Sequence, residues 1–422
     1  MSKLRLRRPP RAFRNRNFAW FMAGCSVSNI GSWMQNITVP FVIYRMTGSA
    51  AWVGVVAAMM FLPAVPLAPI AGALADRCDR RHVLMISQVA QATCALGLWL
   101  SWLFVESPWP ILLFVSIGGT ALVVSSASQQ AFVSDLVPQS DLLSALTMNS
   151  AQANLARAVG PALGGLVIAL AGPSWAFLLN ALSFVAVLVA LGQISVPRQT
   201  QRVPHEGVLR EFLGAVRFSR RTPGIAVAML LTATVGATAY PIYQLSAVLA
   251  RKVYEVGPGA FGLLAAAFGV GALIGAAFLS SIGSGWSREH LAVISLAVLA
   301  IALVGYGLTP SFWSALACAA IVGGSALVII AVLNTAVQTK SDPSHKGKVI
   351  AVWIVAYNIA FAIGALVMGV MADRFGPRAV LVGAGVVIAT ALAALLTSPG
   401  AAASLDGTRQ SQEEVLVYAN RP

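Results

Sequence analysis

Twelve long apolar stretches, parted by short polar or charged turns, set what this chain can fold into. They cover residues 18–44, 51–75, 83–105, 110–134, 143–170, 174–196, 224–249, 259–282, 289–308, 311–336, 349–371 and 379–397. A hydrocarbon layer about 30 Å thick takes roughly 20 apolar residues per helix. Membrane-spanning strands are shorter and alternate in polarity, so these runs predict helices. Of the 422 residues, 58% are hydrophobic and 10% charged, whereas a soluble domain carries about 25% charged residues. Such a chain cannot cover itself with polar surface. An all-α membrane protein with twelve transmembrane helices follows, with the lipid bilayer as its first partner.

The net charge of +14 resembles a nucleic-acid signature until its distribution is read. With the N-terminus placed in the cytoplasm, only Arg45, Arg251, Lys252, Arg374 and Arg378 lie outside. Arg157 falls within a span, and every other basic residue faces the cytoplasm. This asymmetry is the positive-inside rule. It places both termini in the cytoplasm and directs the basic residues at an anionic leaflet, so no nucleic-acid partner is implied. The first apolar run is too long for a cleavable leader and lacks a small-residue cleavage site. Cys25, Cys78, Cys94 and Cys318 show no paired spacing, which argues against disulfides and metal sites.

The rhythm breaks once, at 197–222, "PRQTQRVPHEGVLREFLGAVRFSRRT". Leu209, Phe212, Leu213, Val216 and Phe218 recur there at roughly helical spacing, which predicts an amphipathic helix on the inner membrane surface. The organisation read from this is a basic cytoplasmic tail (1–17), a six-helix bundle (18–196), the linker (197–222), a second six-helix bundle (223–399) and a cytoplasmic tail (400–422). The halves echo each other. At an offset of 204, residues 149–173 and 353–377 share seven identities, including Asn154/Asn358, Gly160/Gly364, Gly165/Gly369 and the turn Gly172-Pro173/Gly376-Pro377. Parallel repeats of this kind build transporters whose substrate site lies between the halves near the midplane. The partner of Arg157 in the second copy is Phe361, so the arginine is not part of the shared scaffold.

Two motifs carry a resemblance. The loop after the second span, "GALADRCDRR" (72–81), matches the pattern G-x-L-x-D-R-x-x-R-R of the major facilitator superfamily. The alternative of a DxxD magnesium site in "DRCD" is opposed by the three arginines around the acids and by the lack of a second acidic cluster. "GPALGG" (160–165) resembles the fifth-span motif that this superfamily associates with antiporting exporters. Gly160 and Gly164 also form a GxxxG packing pair, and Pro161 and Gly165 complete the motif. Further stretches, among them "FRNRNF" (13–18), "SNIGSWMQNI" (28–37) and "LVPQSDLLSALTMNS" (136–150), look like the bacterial group that contains the enterobactin exporter and the macrolide efflux proteins.

The resemblance implies a major facilitator fold and a set of roles. In the family the loop aspartate meets the positive end of a helix in the other half. A distal arginine pairs with an acid at the inner end of span 4. Gly72, Asp76, Arg77, Arg80, Arg81 and Asp135 would take those cytoplasmic-gate roles here. A second copy-like turn, "ADRFGPR" (372–378), falls on the outer side and reads as a capped turn, with Asp373 and Arg374 as candidates for gating that side.

Polar residues inside spans should face a cavity or one another. Asn29, Ser32, Trp33 and Asn36 recur on one face of span 1. Gln129 on span 4, Asn154 and Arg157 on span 5, Tyr240, Tyr243 and Gln244 on span 7, and Trp353, Tyr357 and Asn358 on span 11 complete the candidate cavity. Amides and rings in an apolar pocket suit a bulky amphipathic molecule. None of the fourteen acids lies near the middle of a span. The fixed midplane charge is therefore positive, which favours neutral or anionic substrates and leaves the proton carrier unassigned.

The function expected is a secondary transporter of the bacterial inner membrane. It would export a small amphipathic molecule, siderophore-like or drug-like, by alternating access with proton antiport, and act as a monomer. An importer of a small metabolite and a non-transporting membrane sensor are the alternatives. No nucleophile with a base and no clustered acids suggest an enzyme, and no catalytic residue, metal or cofactor is implied.

Overall fold

A computed structural model describes residues 11–66, 78–194, 208–282, 285–342 and 346–405. Among them there is no strand. Twelve long helices follow in order: α1 Arg16–Thr47, α2 Ala50–Phe61, α3 Arg80–Phe104, α4 Pro108–Asp135, α5 Leu142–Leu170, α6 Pro173–Gln193, α7 Pro223–Lys252, α8 Pro258–Ile282, α9 Arg288–Leu308, α10 Phe312–Lys340, α11 Lys346–Phe375 and α12 Pro377–Thr397. A further helix of 14 residues, Val208–Arg221, lies between α6 and α7 in the chain. In lipid every backbone group must be satisfied within its own segment, which is why long apolar runs become helices.

Ten of the twelve are long and apolar enough to cross a membrane by length and composition alone. The other two are α1 and α2. Helix α1 is 32 residues long, but the asparagines, glutamine and serines of its middle lower its hydropathy. Helix α2 ends at Phe61 and passes into a 3-10 turn at Leu62–Ala64; residues 67–75 of the predicted run lie outside the described residues. Pro63 accounts for the change from α to 3-10 winding there, because proline supplies no backbone N–H and its ring clashes with the preceding turn.

Helix starts carry the residues that satisfy free backbone N–H groups. Ser49 caps α2, Asp79 caps α3, Ser107 caps α4 and Ser287 caps α9 through their side-chain oxygens. Large apolar side chains face away from the protein along the bundle. Ile301 is 73% exposed and Ile86 is 70% exposed, which in water would be a severe cost and in lipid is none.

Within the first half, α1 packs on α5 and α6, and α3 on α4 and α6; within the second, α7 packs on α11, α8 on α10, and α9 on α10 and α12. The halves join mainly where α5 meets α8 and where α2 meets α11. The repeat seen in the sequence is a structural equivalence. Gly172 and Gly376 both take positive φ, 91° and 85°, ahead of the prolines that begin α6 and α12. Gly160 packs on Trp33 of α1, and Gly364 packs on Ala237 of α7. Residues 33 and 237 are themselves 204 apart.

The chain has two ends across the bundle. One, called here the N-terminal face, carries the start of α1 and the linker helix. The other, the far face, carries the α1–α2, α5–α6 and α11–α12 turns.

Candidate functional site

A cavity of about 330 Å³ lies between the halves. Helix α1 contributes Trp33 and Asn36, α2 contributes Met60 and Phe61, and α5 contributes Arg157. From the second half come Tyr240, Tyr243 and Gln244 of α7, Phe268 of α8, and Tyr357 and Phe361 of α11. Seven of its eighteen described lining residues are aromatic. Tyr240 meets Tyr357 edge-on with centroids 5.5 Å apart, Phe61 meets Phe361 at 5.0 Å, and Trp33 meets Tyr243 at 5.9 Å. Two of these pairs join one half to the other.

Arg157 is the charged residue of this wall. Its guanidinium carbon stands 5.1 Å from the centroid of the Trp33 ring, a cation–π arrangement. Glycine makes that contact possible. A Cβ at Gly160, one turn beyond Arg157, would lie 2.5 Å from the Cβ of Trp33. The small residue lets α1 come close enough to slide its indole under the arginine. On the other side, a Cβ at Gly269 of α8 would stand 2.5 Å from the Arg157 carbonyl oxygen. Arg157 is thus fixed by backbone packing on both flanks. Its Nε is buried and has no hydrogen-bond partner, and the same holds for the Tyr243 hydroxyl.

The polar residues singled out in the sequence divide into groups. Trp33, Asn36, Arg157, Tyr240, Tyr243, Gln244 and Tyr357 line the cavity. Ser32 instead lines a smaller pocket of about 70 Å³ beside it, shared with Asn36 and Gln244. Asn29, Gln129, Asn154, Trp353 and Asn358 are absent from both walls. Asn29 donates to Gln152 at 3.0 Å, Asn154 to the Ser150 carbonyl at 3.0 Å, and Trp353 to Thr232 at 3.0 Å. Gln129 approaches the Cys25 sulfur at 3.8 Å. The contacts of Asn29, Gln129, Asn154 and Trp353 thus run between or along helices. Asn154 bonds its own helix.

Phe61, Phe268, Phe361 and Met60 line the cavity and were not anticipated. In sequence an inward phenylalanine reads like a lipid-facing one. For Phe361 alone a signal existed, its position opposite Arg157 in the repeat.

The motif glycines have distinct contacts. Gly160 and Gly164 receive Trp33, Met34 and Ile37 of α1, while Gly165 packs on Gly262 of α8, where an added Cβ on Gly262 would stand 2.5 Å from the Gly165 Cα. Helix α5 runs unbroken through Pro161. Gly271 and Gly275 of α8 receive the α10 backbone at Ala320 and Gly324.

On the N-terminal face, Arg80 Nη1 donates to both carboxylate oxygens of Asp135, at 2.8 and 2.9 Å. Arg81 donates to the Gly192 carbonyl at 3.3 Å. Partial burial works to raise the Asp79 pKa, yet hydrogen bonds from the His82 ring and the Arg81 N–H leave it below its usual value. Gly72, Asp76 and Arg77 lie outside the described residues. On the far face, Asp373 receives the N–H groups of Ala50 at 2.7 Å and Ala51 at 2.9 Å, together with the Ser49 hydroxyl. A carboxylate from the second half thereby caps α2 of the first.

Comparison with known proteins agrees with this architecture. Residues 9–415 match the family model described as transmembrane secretion effector. Macrolide efflux protein A of Streptococcus pyogenes is 24% identical over 365 residues, covering 85% of this chain and 90% of that protein. The enterobactin exporter of Citrobacter koseri is 27% identical over 404 residues, covering 91% of each. Among solved structures, a bacterial homolog of the human lysosomal transporter Spinster, inward-facing and unoccupied, superposes with a TM-score of 0.74 at 15% identity, covering 92% of this chain and 98% of that one. A D-xylose–proton symporter gives 0.66 at 14% identity, covering 88% and 97%.

Proposed function

The chain belongs to the transmembrane secretion effector family of the major facilitator superfamily, and from that premise we propose that it exports a small amphipathic molecule, siderophore-like or drug-like, across a bacterial cytoplasmic membrane. Export would run by alternating access, with protons entering in exchange, and the monomer would be the working unit. The two relatives above, one named for macrolides and one for enterobactin, support an amphipathic substrate carried outward.

The observation that carries this reading is the ring-lined cavity between the halves. Both half-to-half joins, α2 with α11 and α5 with α8, are glycine-mediated toward the far face, and the Asp373 cap ties α11 to α2 there. A substrate held at the midplane would then exchange with the N-terminal face. The positive-inside bias of the loops makes that face cytoplasmic. The cytoplasmic gate would form from the Arg80–Asp135 pair together with Gly72, Asp76, Arg77 and Arg81 once the cavity opens outward. Arg157, Gly160, Pro161, Gly164 and Gly165 would make α5 the helix that couples cavity to gate.

Inside-out vesicles containing the protein provide the test. Accumulation of a macrolide or a catecholate siderophore, rising with an imposed acid interior, supports the proposal. Accumulation that ignores the pH gradient removes the proton exchange. Uptake by right-side-out vesicles alone reverses the direction.

A further inference from the structure

We propose that the central cavity is a site for an organic anion with a flat aromatic part, its acidic group taken by Arg157 and its ring received by Tyr240, Tyr357 and Phe361. The inference rests on the export reading and names the substrate class of the same site.

Arg157 and Tyr243 hold the argument. Both line the cavity, and both carry a buried polar atom without a partner, the guanidinium Nε and the phenol oxygen. Buried polar groups are paired in the great majority of proteins, and each exception calls for a cause. Both atoms are closed off as the side chains stand, so a ligand acceptor in this cavity would reach them as the guanidinium and the phenol turn toward it. The orientation of the guanidinium narrows which acceptor. Trp33 covers its face at 5.1 Å, so its N–H groups, which lie in the plane, remain for a planar two-oxygen partner. A carboxylate fits that fork geometry.

Charge selects in the same direction. Among the described residues, no acid and no histidine lines the cavity. A cation brought there would meet Arg157 with no compensating charge in the described wall. An anion would form a pair that removes both charges from the apolar surroundings.

The repeat gives the site its polarity. Arg157 and Phe361 occupy equivalent places in the two halves, so one half offers a cation where the other offers a ring. Phe361 is packed edge-on against Phe61, and Tyr240 against Tyr357. An aromatic anion would bridge them, its charged end on α5 and its ring on α7 and α11. At about 330 Å³ the cavity is at the small end of ligand pockets, which run from about 300 to 1,000 Å³.

The test measures binding of naphthalene-2-carboxylate, naphthalene-2-carboxamide and 2-naphthylmethylamine to the full-length protein in nanodiscs. The carboxylate should bind best and the protonated amine worst. Arg157→Gln should weaken the carboxylate about 10- to 100-fold, the scale of a charge-assisted hydrogen bond, and leave the amide unchanged. Arg157→Lys should restore part of the loss. Equal binding of carboxylate and amide to the wild type, a preference that survives Arg157→Gln, or no binding of the carboxylate each overturns the assignment. Proteoliposomes separate this from the export reading. Export of a neutral macrolide without any carboxylate preference defeats the anion site alone. Arg157-dependent binding of the carboxylate with no transport of any substrate defeats export alone.

Discussion

Asp373 and Ala50 are 323 residues apart in sequence and are joined by a 2.7 Å hydrogen bond from the Ala50 N–H to the Asp373 carboxylate. The Ala51 N–H and the Ser49 hydroxyl complete the cap at 2.9 and 2.6 Å. The bond ties the end of α11 to the start of α2 and thereby one half to the other on the far face. It sets a negative charge on the positive end of a helix dipole, an interaction typically worth about 0.3–1 kcal/mol near a surface and up to about 2 when partly buried.

Asp373→Asn keeps the shape and removes the charge. The far face should open more often, by a shift of roughly 1 kcal/mol, or about fivefold in population. Spin labels at Glu106 and Lys252, measured by double electron–electron resonance, should show a larger long-distance fraction. An unchanged distribution would mean the cap is only local.

Gly165 and Gly262 allow α5 and α8 to touch backbone to backbone. Gly262→Leu should hold the far ends of the halves apart, because the new side chain has only helix backbone to push against. Protein should still reach the membrane at normal levels while substrate export falls to background. Full export would show that the halves can close without this contact.

Trp33→Leu removes the ring beneath Arg157 and keeps an apolar side chain. Loss of a desolvated cation–π contact should lower substrate affinity by about 1–2 kcal/mol, roughly 5- to 30-fold. Gly160→Val should reproduce this loss, because its branched side chain displaces the indole. Titration of a transported substrate against each variant in detergent checks both.

Arg80 and Asp135 form an ion pair with side chains 20% and 11% exposed. Asp135→Asn should cost about 1–3 kcal/mol by leaving the arginine's charge less well matched in a mostly buried place, visible as a lower unfolding temperature of the purified protein. In Arg80→Ala, adding Asp135→Asn should cost much less than it does alone. Additive losses would show that the pair is not energetically coupled.

Much of the architecture was legible in the chain itself. Run length sets helix number, because lipid forces each span to satisfy its own backbone. The offset of 204 disclosed the repeat, since Gly172-Pro173 and Gly376-Pro377 must make the same turn. The site was less legible. Asn29 and Asn36 share one face of α1, yet Asn36 lines the cavity and Asn29 bonds Gln152. Arg157 announced itself as a charge in a span, and Phe361 by its place opposite Arg157 in the repeat, while Phe268 gave no such mark.

The sequence by itself determined how many helices form, their order, their doubled arrangement and the one charge set among them. These are properties of single segments, governed by backbone hydrogen bonding, apolar length and helical period. The tertiary structure decided which polar residue faces the cavity, which ring lies beneath Arg157, and that Asp373 caps a helix 323 residues away. Helical period assigns a residue to a face but not to a neighbour. The neighbour depends on how closely two helices approach, and that depends on small residues such as Gly160 and Gly165 meeting a partner that only the folded chain supplies.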